Sequence, residues 1–295
     1  MNFSAVAIEI VGVVSSMYSA LMNVYILEKL KRKKKDMVIF YYRIFMDAIL
    51  SFLVALYLIS VLLVSFFAEK LSIFRNIIFY LSLLSSNVGA ARSIITLSIA
   101  IERVVAVYVP FSFHNYNRYF PASSALIISI LFGIWEIVVL YVFCDFHLSI
   151  PSSCTVLGCS VNKCFFRYWT TNKSIVFALS FVFSILLFVR LLFLHKTGKT
   201  ENVEMSRVNR LSLIDAANII FFDFLPNLIA YQFSYTNFFK CHQNLGPYVA
   251  VSKMLGCAIE AFLVFRTLNR KIVVNPANGT KSTRNCPKIA VVRQS

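Results

Sequence analysis

Seven stretches of this chain are each long and apolar enough to cross a lipid bilayer, and no other feature narrows its fold so far. A hydrocarbon core of about 30 Å needs roughly 20 mostly apolar residues in a helix. The stretches run approximately 4–27, 37–67, 77–108, 122–144, 173–194, 211–235 and 248–268. The second and third exceed the minimum, so they tilt or extend past the headgroups. A mean hydropathy of +0.74, with 59% hydrophobic and only 14% charged residues, excludes an ordinary soluble domain. The expectation is an all-α membrane protein: a bundle of seven transmembrane helices over residues 1–270, then a disordered tail over 271–295.

A formal net charge of +16 raises nucleic acid as a partner, and the placement of the charges argues against it. Short loops rich in Lys and Arg stay on the cytoplasmic side. With the N-terminus outside, the inner loops, helix ends and tail carry 20 of the 29 Lys and Arg, including the run Lys31–Lys35 and the groups from Arg266 onward. The expected orientation is therefore N-terminus outside and C-terminus cytoplasmic. The first span lacks the cationic leader and small-residue cleavage site of a signal peptide. It is followed at once by "EKLKRKKK", so it reads as a retained anchor whose basic run contacts anionic headgroups. The bilayer is an expected partner; nucleic acid is not.

Cysteines sort by side as well. Cys154, Cys159 and Cys164 lie in "CTVLGCSVNKC" and Cys241 in the last outer loop, all placed by this topology in an oxidising compartment. They are disulfide candidates with three possible pairings, and Cys144 at the outer end of span four adds a fifth thiol. The segment supplies no histidine, so no metal site is expected there. Cys257 reads as a packing residue, and Cys286 in the tail as a position open to palmitoylation. Asn2 and Asn172 begin outward-facing glycosylation sequons, while that of Asn278 is cytoplasmic.

Polar residues inside the spans fall on helical stripes. They are Ser85, Gly89, Arg92, Ser93, Thr96 and Arg103 in span three, Asp223, Pro226, Asn227 and Tyr231 in span six, and Lys253, Gly256, Cys257 and Glu260 in span seven. A charge at bilayer depth is unfavourable by at least a few kcal/mol, so these stripes face the bundle interior. At about 1.5 Å per residue, Asp47 and Arg92 both sit about 15 Å above the cytoplasmic boundary and can pair. If the pair is structural, reversing both charges should recover more surface expression than reversing either one. Asn87, Asp223, Asn227, Tyr231 and Lys253 are the candidate ligand cavity. Pro226 removes a backbone donor and should weaken the helix near residue 222, making a hinge for the inner half of span six.

The third span ends in "ERVVAVYVPFSFHNYNRYFP", with Glu102 and Arg103 adjacent at its inner end and Pro110 in the loop beyond. This order resembles the G-protein-coupled receptors, whose third helix closes in an acid, an arginine and an aromatic residue before a loop proline. Together with the seven spans it is most similar to the nematode serpentine chemoreceptors, the Srbc class in particular. The resemblance implies that Arg103 holds the inner ends of helices three and six together at rest, meeting Glu102, Asp215 or nearby carbonyls. It also implies that Glu102, Arg103 and Pro110 form the coupling region for a heterotrimeric G protein. The implied protein sits in the plasma membrane of sensory neuron cilia, binds a small-molecule cue and needs no cofactor.

Three features depart from the better-known receptors. Position 104 is valine where an aromatic is usual, the outer end of span three has no cysteine, and span seven ends "EAFLVFRTLNR" without Asn-Pro-x-x-Tyr. The alternative function is a transporter or channel that uses the intramembrane charges as a pathway. The two halves show no matched pair of broken helices, which favours the receptor. No HExxH, GxSxG or GxxxxGK[ST] occurs, so an enzyme is not expected.

Overall fold

In a computed structural model, the described residues are 3–30, 38–67, 74–109, 122–148, 157–196, 211–229 apart from 216 and 227, and 242–269. Their regular structure is entirely helical. The long helices are α1 (Phe3–Leu30), α2 (Val38–Phe66), α3 (Phe74–Tyr108), α4 (Ala122–Val138, continued by a π turn over Val139–Phe143), α5 (Lys163–Lys196) and α7 (His242–Asn269). We call α6 the segment 211–229, helical wherever it is described and carrying a second π turn at Ile219–Phe224. Five of these helices are long and apolar enough to cross a membrane by length and composition: α1, α2, α4 with its π turn, α5 and α7.

The bundle is arranged around α3, which touches α2, α4 and α5, while α1 lies between α2 and α7, and α6 closes the ring against α5 and α7. In α1 the amphipathicity is inverted relative to a soluble helix. Ser15, Ser16, Ser19 and Asn23 are buried in the bundle, while Val11, Val14, Met17 and Leu21 face outward. Hydrocarbon gives apolar side chains no reason to hide, so small polar residues take the helix contacts and bond across them. Ser51 of α2 donates to Ser19 at 2.9 Å. Gly12 lets α1 approach α2 and α7 closely, because a Cβ there would stand 2.6 Å from a Val251 methyl and 2.8 Å from one of Leu58.

The disulfide pairing differs from the sequence expectation. Cys164 is bonded to Cys144, which stood outside the four candidates, with the two Cα atoms 5.7 Å apart. The reason is local. The wide turn Val139–Phe143 ends α4, and the backbone then reverses through Asp145 at a φ of 44°, a left-handed conformation that aspartate tolerates better than most residues. Asn162 Nδ2 donates to the Cys144 carbonyl at 2.5 Å, and Asn162 Oδ1 accepts from the Phe165 amide at 3.0 Å. That side chain caps α5, so the helix begins at Lys163 and not at 173 where the hydropathy rises. Cys154 and Cys241 lie outside the described residues, as does the side chain of Cys159.

The π turn of α6 lies just before Pro226. Proline leaves the carbonyl four residues earlier without its donor, and a widened turn re-registers the ladder around that gap. α7 meets this turn at Gly256, where a Cβ would lie 2.5 Å from the Phe222 Cβ and 2.6 Å from Asn218 Oδ1. The Phe222 Cβ is fixed to its backbone and cannot yield as a flexible side-chain tip does. Gly256→Ala should therefore destabilise the folded protein by about 1–3 kcal/mol, the usual range for overpacking. An unchanged melting temperature in detergent would show that α6 and α7 can separate freely at this point.

Candidate functional site

Four helices bring charged side chains together inside the bundle. Arg43 and Asp47 stand one turn apart on α2, Arg92 on α3, Asp215 and Asp223 on α6, and Lys253 and Glu260 on α7. Arg43 and Arg92 are each 2% exposed, so neither has water to satisfy its guanidinium. Arg43 pairs with Asp215 and Glu260, lies 3.6 Å from Asp47, and donates through Nε to the Thr96 hydroxyl at 3.3 Å. Arg92 pairs through Nε with Asp47 and through its two terminal nitrogens with Asp223 at 3.3 Å and Glu260 at 3.0 Å. Asn218 donates to Glu260 at 2.6 Å, and Lys253 lies 3.7 Å from Asp223.

The planar fork of arginine suits this duty, since its donors reach several carboxylates at once while each carboxylate accepts from several directions. Every carboxylate on α6 is thereby held by a cation from another helix. Gly89 makes room for the lattice: a Cβ at that position would come 3.1 Å from Lys253 Nζ. The lattice fixes the relative height of α2, α3, α6 and α7, and any slide or rotation of α6 must exchange several ion pairs together. Among the described residues no group of three or more His, Cys, Asp or Glu could hold a metal ion.

At the far end of α3, Arg103 is buried and donates to Glu102 at 2.9 Å. Its guanidinium lies 5.9 Å from the centre of the Phe40 ring. Of the partners expected for Arg103, Asp215 is taken by Arg43 instead. Tyr108 donates to the Leu186 carbonyl at 3.3 Å and stacks under Arg190, which ties the end of α3 to α5.

The structure thus brings together Asp47, Arg92, Asp223 and Lys253 from the sequence reading. Asn87 is buried elsewhere, against α4, with its Oδ1 unpartnered. Pro226 is half-buried in α6. Pro110, Asn227 and Tyr231 lie outside the described residues. Arg43 is absent from the sequence expectations, Asp215 enters them only as a partner for Arg103, and Glu260 only as one member of a stripe. The spacing of Arg43 and Asp47, four residues apart and on one helix face, was the signal that could have found the first of them. Glu136 of α4, a wholly buried carboxylate, is likewise absent from the sequence expectations.

Against known proteins, the family model for the serpentine type 7TM GPCR chemoreceptor Srbc matches residues 1–272. Comparison with curated protein sequences gives no match.

Proposed function

The chain belongs to the Srbc class of serpentine 7TM GPCR chemoreceptors, and on that premise we propose that it binds a small-molecule cue in the outer half of the bundle and activates a heterotrimeric G protein at the inner face. The observation that carries this reading is the ion-pair lattice joining the π-turned α6 to α2, α3 and α7. A ligand changes a conformational equilibrium only by its difference in affinity between the two states. A helix with a proline, a widened turn and several exchangeable ion pairs is the element on which we expect a ligand to act. In this reading Pro226 marks the hinge, and the inner half of α6 swings away from α3 to expose Glu102, Arg103 and the loop with Pro110.

The orientation follows the same reading. The disulfide between the end of α4 and the start of α5 supports an oxidising side there. In this reading the N-terminus lies outside, and the basic loops and the tail 271–295 lie in the cytoplasm. The site of action is the plasma membrane, in sensory neuron cilia. The test is reconstitution of the full chain with a heterotrimeric G protein, with nucleotide exchange measured across a panel of volatile and soluble cues. Cue-dependent exchange is expected. Flux of ions or solutes through the vesicle without any exchange would return the transporter reading.

A further inference from the structure

We propose that Glu136, with Ser86 and Asn87, anchors the ligand, and that the site takes a neutral, hydroxyl-bearing small molecule. This deepens the receptor reading and rests on it only for what binding accomplishes. Glu136 is completely buried on α4 at 0% exposure, and Ser86 and Asn87 on α3 are 8% and 7% exposed. A short donor chain leads into the carboxylate: Trp169 Nε1 donates to Ser86 Oγ at 2.7 Å, and Ser86 spends its one hydroxyl proton on Glu136 Oε2 at 3.3 Å. Glu136 Oε1 receives nothing, and neither does Asn87 Oδ1. Buried polar atoms are nearly always bonded, so two acceptors without donors at one contact of α3 and α4 call for a donor the chain does not supply. The contact itself is close, since a Cβ on Gly133 would lie 2.8 Å from the Asn87 carbonyl oxygen.

The surroundings decide the chemistry of that donor. Lys173 stands 3.8 Å from the centre of the Trp169 ring, and the charges of Lys173 and Lys253 both reach the Glu136 carboxylate. A cationic ligand would enter beside two ammonium groups, and an anionic one would face Glu136. A hydroxyl gives its proton to Oε1 and leaves its lone pairs toward the lysines. Trp169 packs against a buried apolar cluster that includes Phe79, Leu83, Leu140 and Phe165, an apolar neighbour for a hydrocarbon body. A concavity of about 450 Å3 on α5 shares Tyr168 with this region, next in sequence to Trp169.

The chain has only 2 tryptophans, Trp135 and Trp169, so in a Trp135→Phe background the emission of Trp169 reports this site alone. The full chain in lipid nanodiscs is titrated with 1-hexanol, hexylamine, hexanoate and hexane. Hexanol should give a saturable change that the other probes do not. Glu136→Gln keeps the size of the side chain but replaces a carboxyl oxygen with an amide nitrogen, and should weaken hexanol about tenfold. Glu136→Asp, which keeps the charge but withdraws the oxygen, should weaken it in the same direction and serves if the Gln variant does not fold. The proposal is overturned if hexylamine or hexanoate binds more tightly than hexanol, if no probe gives a saturable response, or if the folded Glu136 variants bind hexanol as the parent does. Binding is read apart from nucleotide exchange. Saturable hexanol binding that never evokes exchange keeps the site and sinks the receptor reading, whereas cue-driven exchange indifferent to Glu136 does the reverse.

Discussion

Replacing Arg92 with leucine should remove nearly all folded protein from the cell surface. Arg92 is 2% exposed, and it holds Asp47, Asp223 and Glu260 at once. The lattice sets the carboxylates Asp47, Asp215, Asp223 and Glu260 against the cations Arg43, Arg92 and Lys253. Removing a cation leaves negative charge crowded in a low-dielectric interior. Breaking a buried pair from one side destabilises by about 3–5 kcal/mol, and marginal folds have only about 5–15 kcal/mol to lose. The leucine fills the space but supplies no donor, so the shape of the core survives while its electrostatics does not.

The lattice also changes what charge reversal should do. An isolated pair would recover when Asp47→Arg and Arg92→Asp are combined. Here an aspartate at 92 would face Asp223 and Glu260, and an arginine at 47 would stand beside Arg43. The double reversal should therefore be expressed as poorly as Arg92→Asp alone, as measured by surface labelling of an epitope-tagged chain. Recovery of half or more of the parental surface level would mean that the pair acts alone and the wider lattice contributes little.

How much of this was legible in the sequence depends on what a helix reports about itself. Rise per residue gives height, so Asp47 and Arg92 were matched in depth from their distances to the span ends. Height does not give azimuth around the bundle. Nothing in one sequence says that Arg43 turns toward α6 and α7 while Asp47, one turn on, also meets α3. The π turns at Val139–Phe143 and Ile219–Phe224 rotate every residue beyond them relative to an ideal ladder. Pro226 announces the second; only the structure shows the first. That hidden turn is part of why Cys144 was left off the candidate pairs. The start of α5 was missed for a different reason, because hydropathy sees lipid-facing length and the helix at Lys163 is fixed by a capping asparagine and a disulfide. Glu136 was invisible as a site because a lone carboxylate in an apolar span has no pattern; its significance lies in which atoms fail to reach it.

Arg103→Ala is expected to separate folding from signalling. The Glu102 side chain that Arg103 contacts is 24% exposed, so it regains water when the guanidinium is removed. Removing Arg103 therefore strands no fully buried charge, which is what makes the one-sided loss of a lattice cation so destabilising, and the loss of contact with the Phe40 ring adds little. The variant should reach the surface at a level close to the parent and keep its ligand affinity. Coupling is another matter. If the inner end of α3 meets a G protein, a planar, always-charged fork at its centre is the kind of side chain that dominates an interface. Loss of about 2 kcal/mol there lowers cue-driven nucleotide exchange more than tenfold. Arg103→Lys keeps the charge without the fork and should fall between the two. The measurement is exchange per receptor at matched surface density. Undiminished exchange from well-expressed Arg103→Ala would reduce the residue to an interfacial cation that anchors α3 at the headgroups, and the coupling face would then have to be sought elsewhere on the inner surface.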